Sequence, residues 1–298
     1  MKIPDFLTAG DRIAIVTPAS HINPDYVDGA FETIETLGFK PVLSKHCKGA
    51  YGYYSGSEEE RTEDFLKALK DPKIKAILCS RGGYGTVHLV EQIPLEVIAK
   101  NPKWIIGFSD ISILHAMANR AGVMSIHASM AKHLALHGSD NQCTRILFDA
   151  LSGKLPEYTQ KTHPYNRLGH TEGEIIGGNM AVLCGLLRTD IDIFKGGKIL
   201  FIEDVGEAIY KIERMLYDLR LAGILPSIKG LIVGRFTDFD EPDANGDTMN
   251  SMIQRMVEPY DYPVAFNFSI GHIDDNIPII EGATATFTVN SEGATLKF

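Results

Sequence analysis

Cysteine is scarce and scattered. Cys47, Cys79, Cys143 and Cys184 are the only four in 298 residues, and no two stand at a C-x-x-C spacing. The pattern therefore offers neither a zinc knuckle nor a disulfide framework; Cys79 and Cys184 sit in apolar runs and read as packing residues. Cations are in deficit too. With 29 Lys and Arg against 38 Asp and Glu, the formal net charge is -9, and phosphate affinity needs a basic face, so a nucleic-acid partner is excluded. No run approaches the ~20 apolar residues that span a bilayer, so no membrane partner is expected. Met1-Lys2-Ile3-Pro4-Asp5 lacks the apolar core of a signal peptide. There is no internal repeat and no low-complexity tract. What remains is a chain expected to be cytoplasmic and reduced, long enough for two domains, with the 44% hydrophobic and 22% charged residues of a soluble globular protein.

From residue 12 onward, short apolar runs alternate with helical stretches. Residues 12–16, 41–43, 75–79, 104–107 and 123–126 read as five strands. Between them, a helix after Pro24 stops at Gly38, and Ser57-Glu58-Glu59-Glu60 is a capping box that opens a helix to Lys70. Strands separated by helices predict an α/β fold with a parallel doubly wound sheet, whose ligands bind beyond the carboxyl ends of the strands. Residues 138–171 are polar, with Pro156, Pro164 and Gly169, and read as a connection between domains. The expected layout is a first domain at 1–137, a linker at 138–171 and a smaller mixed α/β domain at 172–298. In the latter, Gly177-Gly178-Asn179-Met180 opens an apolar helix, and residues 199–202 form a strand ending in Glu203-Asp204. A helix then covers 208–222, and strands follow at 230–234, 264–268, 284–289 and 294–298.

Three features fall at the ends of these strands. In Trp104-Ile105-Ile106-Gly107-Phe108-Ser109-Asp110, an apolar run ends at a Gly-x-Ser and a helical pattern begins one residue later. A serine on so tight a turn projects its hydroxyl clear of the sheet, and the next amide faces any oxyanion formed there. The same serine also suits an N-cap. Ser80-Arg81-Gly82-Gly83-Tyr84-Gly85 follows the third strand. Adjacent glycines present bare amides, one of which can act as a second oxyanion donor beside that of Asp110. The pattern matches neither nucleotide-binding fingerprint, and it also fits an ordinary turn.

The remaining candidates are acids and histidines. Strand neighbours point opposite ways, so at most one of Glu203 and Asp204 faces the site. Glu207 and Glu213 belong to the following helix, where Glu213 is expected to pair with a cation. Among ten histidines, His272 follows a strand and Gly271 and is best placed to be a base. His115 and His133 fall in helical patterns and His137 beside the linker, where structural or solvent roles are expected. His127, at the end of the fifth strand, borders the site as a substrate contact. Ser109, Glu203 and His272 can form a relay in which serine attacks, histidine shuttles the proton and glutamate steadies the imidazolium. Gly107-x-Ser109-x-Ile111 lacks the second glycine of the α/β-hydrolase elbow, which disfavours that fold.

Taken together, these motifs resemble the LD-carboxypeptidase family of serine peptidases, which includes murein tetrapeptide carboxypeptidases and microcin C7 self-immunity proteins. The resemblance runs over essentially the whole chain. It begins with Gly10-Asp11-Arg12-Ile13-Ala14-Ile15-Val16-Thr17-Pro18-Ala19-Ser20 and passes through Arg81-Gly82-Gly83-Tyr84-Gly85 and Gly107-Phe108-Ser109-Asp110. It continues through Gly177-Gly178-Asn179, Leu200-Phe201-Ile202-Glu203-Asp204-Val205-Gly206-Glu207 and Tyr210-Lys211-Ile212-Glu213-Arg214-Met215-Leu216, and closes with Gly271-His272.

The resemblance implies Ser109 as nucleophile, Glu203 as orienting acid and His272 as general base. It also implies an oxyanion hole from the amides of Asp110 and Gly83, with Arg81, Gly82, His127 and Asn179 toward the substrate. Further implications are a flavodoxin-like N-terminal domain, a swivelling β/α/β C-terminal domain, a homodimer, and cleavage of an L,D-amide without metal or cofactor. Release of the terminal D-Ala from cytoplasmic murein tetrapeptides is the expected activity; hydrolysis of microcin-type peptidyl-nucleotides is the alternative within the family. One departure stands out: His127-Ala128-Ser129 replaces the family's His-Gly-Pro, which bears on substrate detail.

Outside the enzyme class, a non-catalytic protein that clamps a small peptide would keep the same architecture. A calcium loop over residues 238–247 is disfavoured, because Pro242 interrupts the spacing and no bidentate Glu follows.

Overall fold

The computed structural model describes residues 1–243 and 245–298. The chain divides into two compact units, Met1–Leu155 with Asp274–Gly282, and Pro156–Ile273 with Ala283–Phe298. Among the described residues no helix is long and apolar enough to cross a membrane.

In the first unit, strands β1 (Arg12–Val16), β2 (Lys40–Leu43), β3 (Ile74–Cys79), β4 (Trp104–Gly107) and β5 (Ser125–His127) alternate with α1 (Pro24–Thr36), α2 (Glu58–Lys70), α3 (Leu95–Lys100) and α4 (Ser112–Arg120). Helices α5 (Ala131–His137) and α6 (Gln142–Leu151) follow. The strands run parallel in the order β2-β1-β3-β4-β5, the flavodoxin-like doubly wound arrangement. The strand Ile279–Glu281 adds to β5 antiparallel. Central strands of such a sheet are covered on both faces, so they read as continuous apolar runs; all four residues of β4 are buried. Asn23 caps α1 ahead of Pro24, and Ser57 and Glu60 exchange hydrogen bonds as a capping box on α2. Two helix starts are thus set by local chemistry.

The second unit comprises β6 (Glu157–Lys161), β7 (Gly169–Asn179), α7 (Met180–Cys184), β8 (Ile199–Val205), α8 (Ile209–Leu221), β9 (Gly230–Thr237), α9 (Met249–Val257) and β10 (Val264–Ala265). After β11, the strand already placed in the first unit, it closes with β12 (Thr284–Asn290) and β13 (Gly293–Lys297). Its sheet runs β10-β9-β8-β7-β12-β13-β6. Strand β7 divides the sheet: residues 175–179 pair parallel with β8, and residues 169–174 pair antiparallel with β12. Strand β12 alternates, burying Ala285, Phe287 and Val289 while its other face is part-exposed.

Several boundaries differ from the sequence expectation. Residues 138–171 are no bare linker; they hold α6 and β6, and α6 belongs to the first unit. Glycines and alternating polar residues hid β7, half of whose length faces outward. The glycine pair 177–178 lies inside that strand, and the helix it was to open is only five residues long. A short segment of the C-terminal half completes the first sheet, a pairing no local pattern announces.

Replacing the fully buried Phe287 with Ala should cost about 3–5 kcal/mol in chemical denaturation. Thr284→Ala, at the exposed end of the same strand, should stay within about 0.5 kcal/mol.

Candidate active site

Strand β4 delivers Ser109 into a strained turn. Phe108 is still extended, but Ser109 has φ 66°, in the left-handed region that costs a non-glycine residue roughly 1–2 kcal/mol. A 3-10 turn over Ser109–Ile111 leads into α4. The capping positions of these two elements are Phe108 and Ile111, neither with a side-chain cap, so the N-cap reading of Ser109 does not hold. Gly107 makes the turn possible, since a Cβ there would stand 2.9 Å from Cγ2 of Ile111.

The glycine loop packs directly on this serine. A Cβ on Gly82 would lie 2.8 Å from Ser109 Cβ, 3.0 Å from its Oγ and 3.2 Å from the Asp110 nitrogen. Gly83 has φ 102°, and a Cβ there would meet Ser20 Oγ at 2.3 Å. Ser20 Oγ in turn accepts from the Tyr84 amide at 3.1 Å. The bare backbone of Gly82 is therefore brought against the Ser109 turn, while Gly83 packs on Ser20. Arg81 is exposed and donates to the His21 carbonyl at 3.0 Å, not to an acidic side chain.

Histidines near this turn act in its support. His115 is fully buried, with Nε2 2.8 Å from the Gly107 carbonyl and Nδ1 2.9 Å from Ser125 Oγ. These partners assign the proton to Nε2, and burial pushes the pKa down to about 4, so the ring is neutral. His127 is the last residue of β5, fully buried, with its ring 5.7 Å from that of Phe108. In this structure it has no exposed surface and lies behind the Phe108 ring. His133 and His137 lie side by side on α5, their tilted rings 4.3 Å apart, and His137 pairs with Asp274 at 3.7 Å.

In the second unit, β8 runs on through Glu203 and Asp204, with an irregularity against β9 between Ile202 and Asp204. The two carboxylates do point to different partners. Glu203, fully buried, meets His272 Nδ1 at 2.8 Å. Asp204 accepts from Asn179 Nδ2 at 3.0 Å and from the amides of Ala181 and Val205 at 2.8 Å each. Burial, with the neighbouring Glu203 charge, raises Asp204 to about 6 against the pull of those hydrogen bonds. Asn179, expected as a substrate contact, caps α7 through Val182 and holds Asp204. Glu207 pairs with Lys211 and Glu213 with Arg255, each at 3.0 Å.

Gly271 is required where it stands. Its φ is 126°, and a Cβ would fall 2.9 Å from Glu203 Oε2. Burial disfavours the His272 imidazolium most, yet the hydrogen bond and charge of Glu203, joined by Asp204 and Asp238, outweigh it. The pKa lies above the usual 6.5. The contact of Nδ1 with the acid fixes the orientation of the imidazole ring.

In the 238–247 stretch, Ala244 lies outside the described residues. The oxygens around it serve as local caps: Asp243 accepts from the amides of Asn245 and Asp247, and Asp247 pairs with Arg255 at 2.6 Å.

A doubly wound unit that bears a strained serine and a second unit that bears a Glu–His pair supply the parts of a serine peptidase. The chain belongs to the LD-carboxypeptidase family: the model of its N-terminal domain matches residues 13–128 and that of its C-terminal domain residues 172–287. The "Probable murein peptide carboxypeptidase" of Bacillus subtilis (strain 168) is 32% identical, over 99% of this chain and 94% of its own length. The murein tetrapeptide carboxypeptidase of Pseudomonas aeruginosa is 30% identical, over 94% of each chain. Among solved structures, the muramoyltetrapeptide carboxypeptidase of Oxalobacter formigenes aligns with TM-score 0.89 at 25% identity, covering 96% of this chain and 98% of that one. The MccF-like protein of Bacillus anthracis gives 0.86 at 23%, over 100% and 99%, and shows the shared fold. The protein is thus a serine-type LD-carboxypeptidase by family.

Glu203→Gln should lower the imidazole pKa of His272, since the charge and carboxylate hydrogen bond that offset burial are lost and only the weaker pull of Asp204 and Asp238 remains; NMR titration of the ring reads this. In the wild type the raised value adds stability that is full below about pH 6.5 and is lost as pH rises through the folded-state pKa.

Proposed function

We propose that the protein releases the terminal D-alanine of a cytoplasmic murein tetrapeptide by nucleophilic serine catalysis, as in cell-wall recycling. The observation that carries this reading is Ser109 at φ 66°, on a strand-to-helix turn packed against bare glycine backbone. Support for the substrate comes from the relatives of Pseudomonas aeruginosa and Oxalobacter formigenes, named for murein tetrapeptide and muramoyltetrapeptide.

In this reading His272 takes the Ser109 proton through Nε2 as Oγ attacks the carbonyl before the D-residue. The tetrahedral oxyanion accepts from the amides of Asp110 and Gly83, each donor accounting for roughly 3–4 kcal/mol of barrier. Collapse expels the D-alanine amine, which takes the proton back from His272. Water then repeats the cycle on the acyl-serine. Glu203 keeps Nδ1 protonated and compensates the imidazolium charge, which the 2.8 Å contact and the elevated pKa both favour. Arg81, exposed beside the glycine loop, is the residue we assign to the peptide carboxylate, as a bidentate guanidinium partner. The chemistry calls for no metal or cofactor, and the family resemblance extends to a homodimer, which sedimentation equilibrium checks.

Incubation with murein tetrapeptide should release D-alanine, detected by mass, and Ser109→Ala should abolish release while leaving thermal unfolding unchanged. Cleavage of an aminoacyl nucleotide in place of the tetrapeptide would assign the microcin-immunity activity, and binding without turnover would assign a peptide-binding protein. Activity should climb with pH through a midpoint above 6.5, because the base must be neutral and its pKa is raised.

A further inference from the structure

The geometry points to Asp110 and Arg61 as positioning residues that clamp one peptide bond of the glycine loop from both ends and so hold the second oxyanion donor beside Ser109. This rests on the serine-peptidase reading above. The clamped unit joins Gly85 to Thr86. Its carbonyl accepts from Arg61 Nη1 at 2.8 Å, and its N–H donates to Asp110 Oδ2 at 2.8 Å. Both charged side chains are nearly inaccessible, at 2% and 3% exposure.

Buried charges are costly unless each meets well-aligned partners. Here the peptide dipole lies between them, its oxygen toward the cation and its N–H toward the anion, so each charge stabilises the same orientation of the loop. Arg61 reaches further. Nη1 also donates to the Pro18 carbonyl at 2.6 Å, Nε donates to that of Gly56 at 3.2 Å, and the guanidinium carbon stands 4.8 Å from the Tyr54 ring centre. One cation thus ties together the segments that follow β1, β2 and β3.

The loop needs such restraint. Gly83 and Gly85 have φ 102° and 124°, conformations open to glycine, which loses the most backbone freedom on ordering. Asp110 follows Ser109 in the chain, so its carboxylate fixes the loop to the very turn that carries the nucleophile, while its own amide serves as the first donor. A displacement of about an ångström in the loop would misalign the second donor, and catalysis is sensitive to errors of that size.

The test compares Asp110→Ala, Asp110→Asn and Arg61→Lys with the wild type. A serine-reactive fluorophosphonate, taken to its end point, counts competent sites, so turnover is read per titrated serine. Hydrogen exchange at the amides of residues 82–86 is followed on the same samples. Asparagine keeps an oxygen that accepts from Thr86, so Asp110→Asn should hold kcat within about tenfold of the wild type. Asp110→Ala and Arg61→Lys should lose about 10²-fold in kcat with KM within about threefold, the size of a lost oxyanion donor. Loop amides should exchange faster in both. Should Asp110→Ala fold poorly, Arg61→Lys carries the same expectation. An unchanged kcat per site, or loop amides that exchange as in the wild type, overturns the clamp. A wild type that releases no D-alanine would overturn the tetrapeptide reading instead, while faster exchange in the variants would still support the restraint.

Discussion

A serine held at φ 66° is a local strain that the rest of the first unit must over-determine. Left to itself, residue 109 would relax toward an ordinary helical or extended conformation and swing its hydroxyl away. Three close contacts prevent this: the side chain of Ile111 against Gly107, the backbone of Gly82 against the serine, and the buried Asp110 carboxylate on Thr86. Glycine at 82 and 107 is therefore a packing requirement, because any Cβ would occupy space already taken. The parallel sheet behind them supplies the rigidity, with β4 paired on both sides and buried at every position.

The second unit solves a different problem. It keeps a carboxylate wholly out of water and still presents it to an imidazole. Two adjacent acids in β8 would repel each other if both were ionised in that setting, and the strand's alternation separates their partners. Asp204 faces backbone amides and Asn179, and burial raises its pKa; Glu203 faces His272, whose positive charge it favours. The opposing effects on His272, burial against charge, resolve in favour of the charge. An imidazole with its pKa above the ordinary histidine value follows from that balance.

Much of this was legible in residue patterns. The five parallel strands, the capping box at Ser57 and the placing of Ser109 and Glu203 at carboxyl ends of strands all follow from periodicity and turn chemistry that act over a few residues. Strands β6 and β7 were not legible because their residues are polar or glycine-rich, and β11 because it is only three residues long and its partner β5 is far away in the chain. Arg61 was overlooked although it left a signal: it lies on the buried face of α2, with Phe65 and Leu69 at helical spacing, where a cation has no place unless it is used. Asp110 was valued for its amide alone. Its carboxylate matters because a contact 24 residues distant waits for it.

By itself, the sequence determined the five parallel strands of the first unit and the starts of α1 and α2, and the residue types available for proton transfer and for oxyanion binding. Such features depend on near neighbours in the chain, and near neighbours are what a sequence displays. Only the tertiary structure decided that Ser109 takes a left-handed backbone rather than capping a helix, that Glu203 and not Asp204 meets His272, and that His127 and Asn179 turn inward. Each of those outcomes is a competition for space or for a hydrogen-bond partner among residues far apart in sequence, and packing alone settles such a competition.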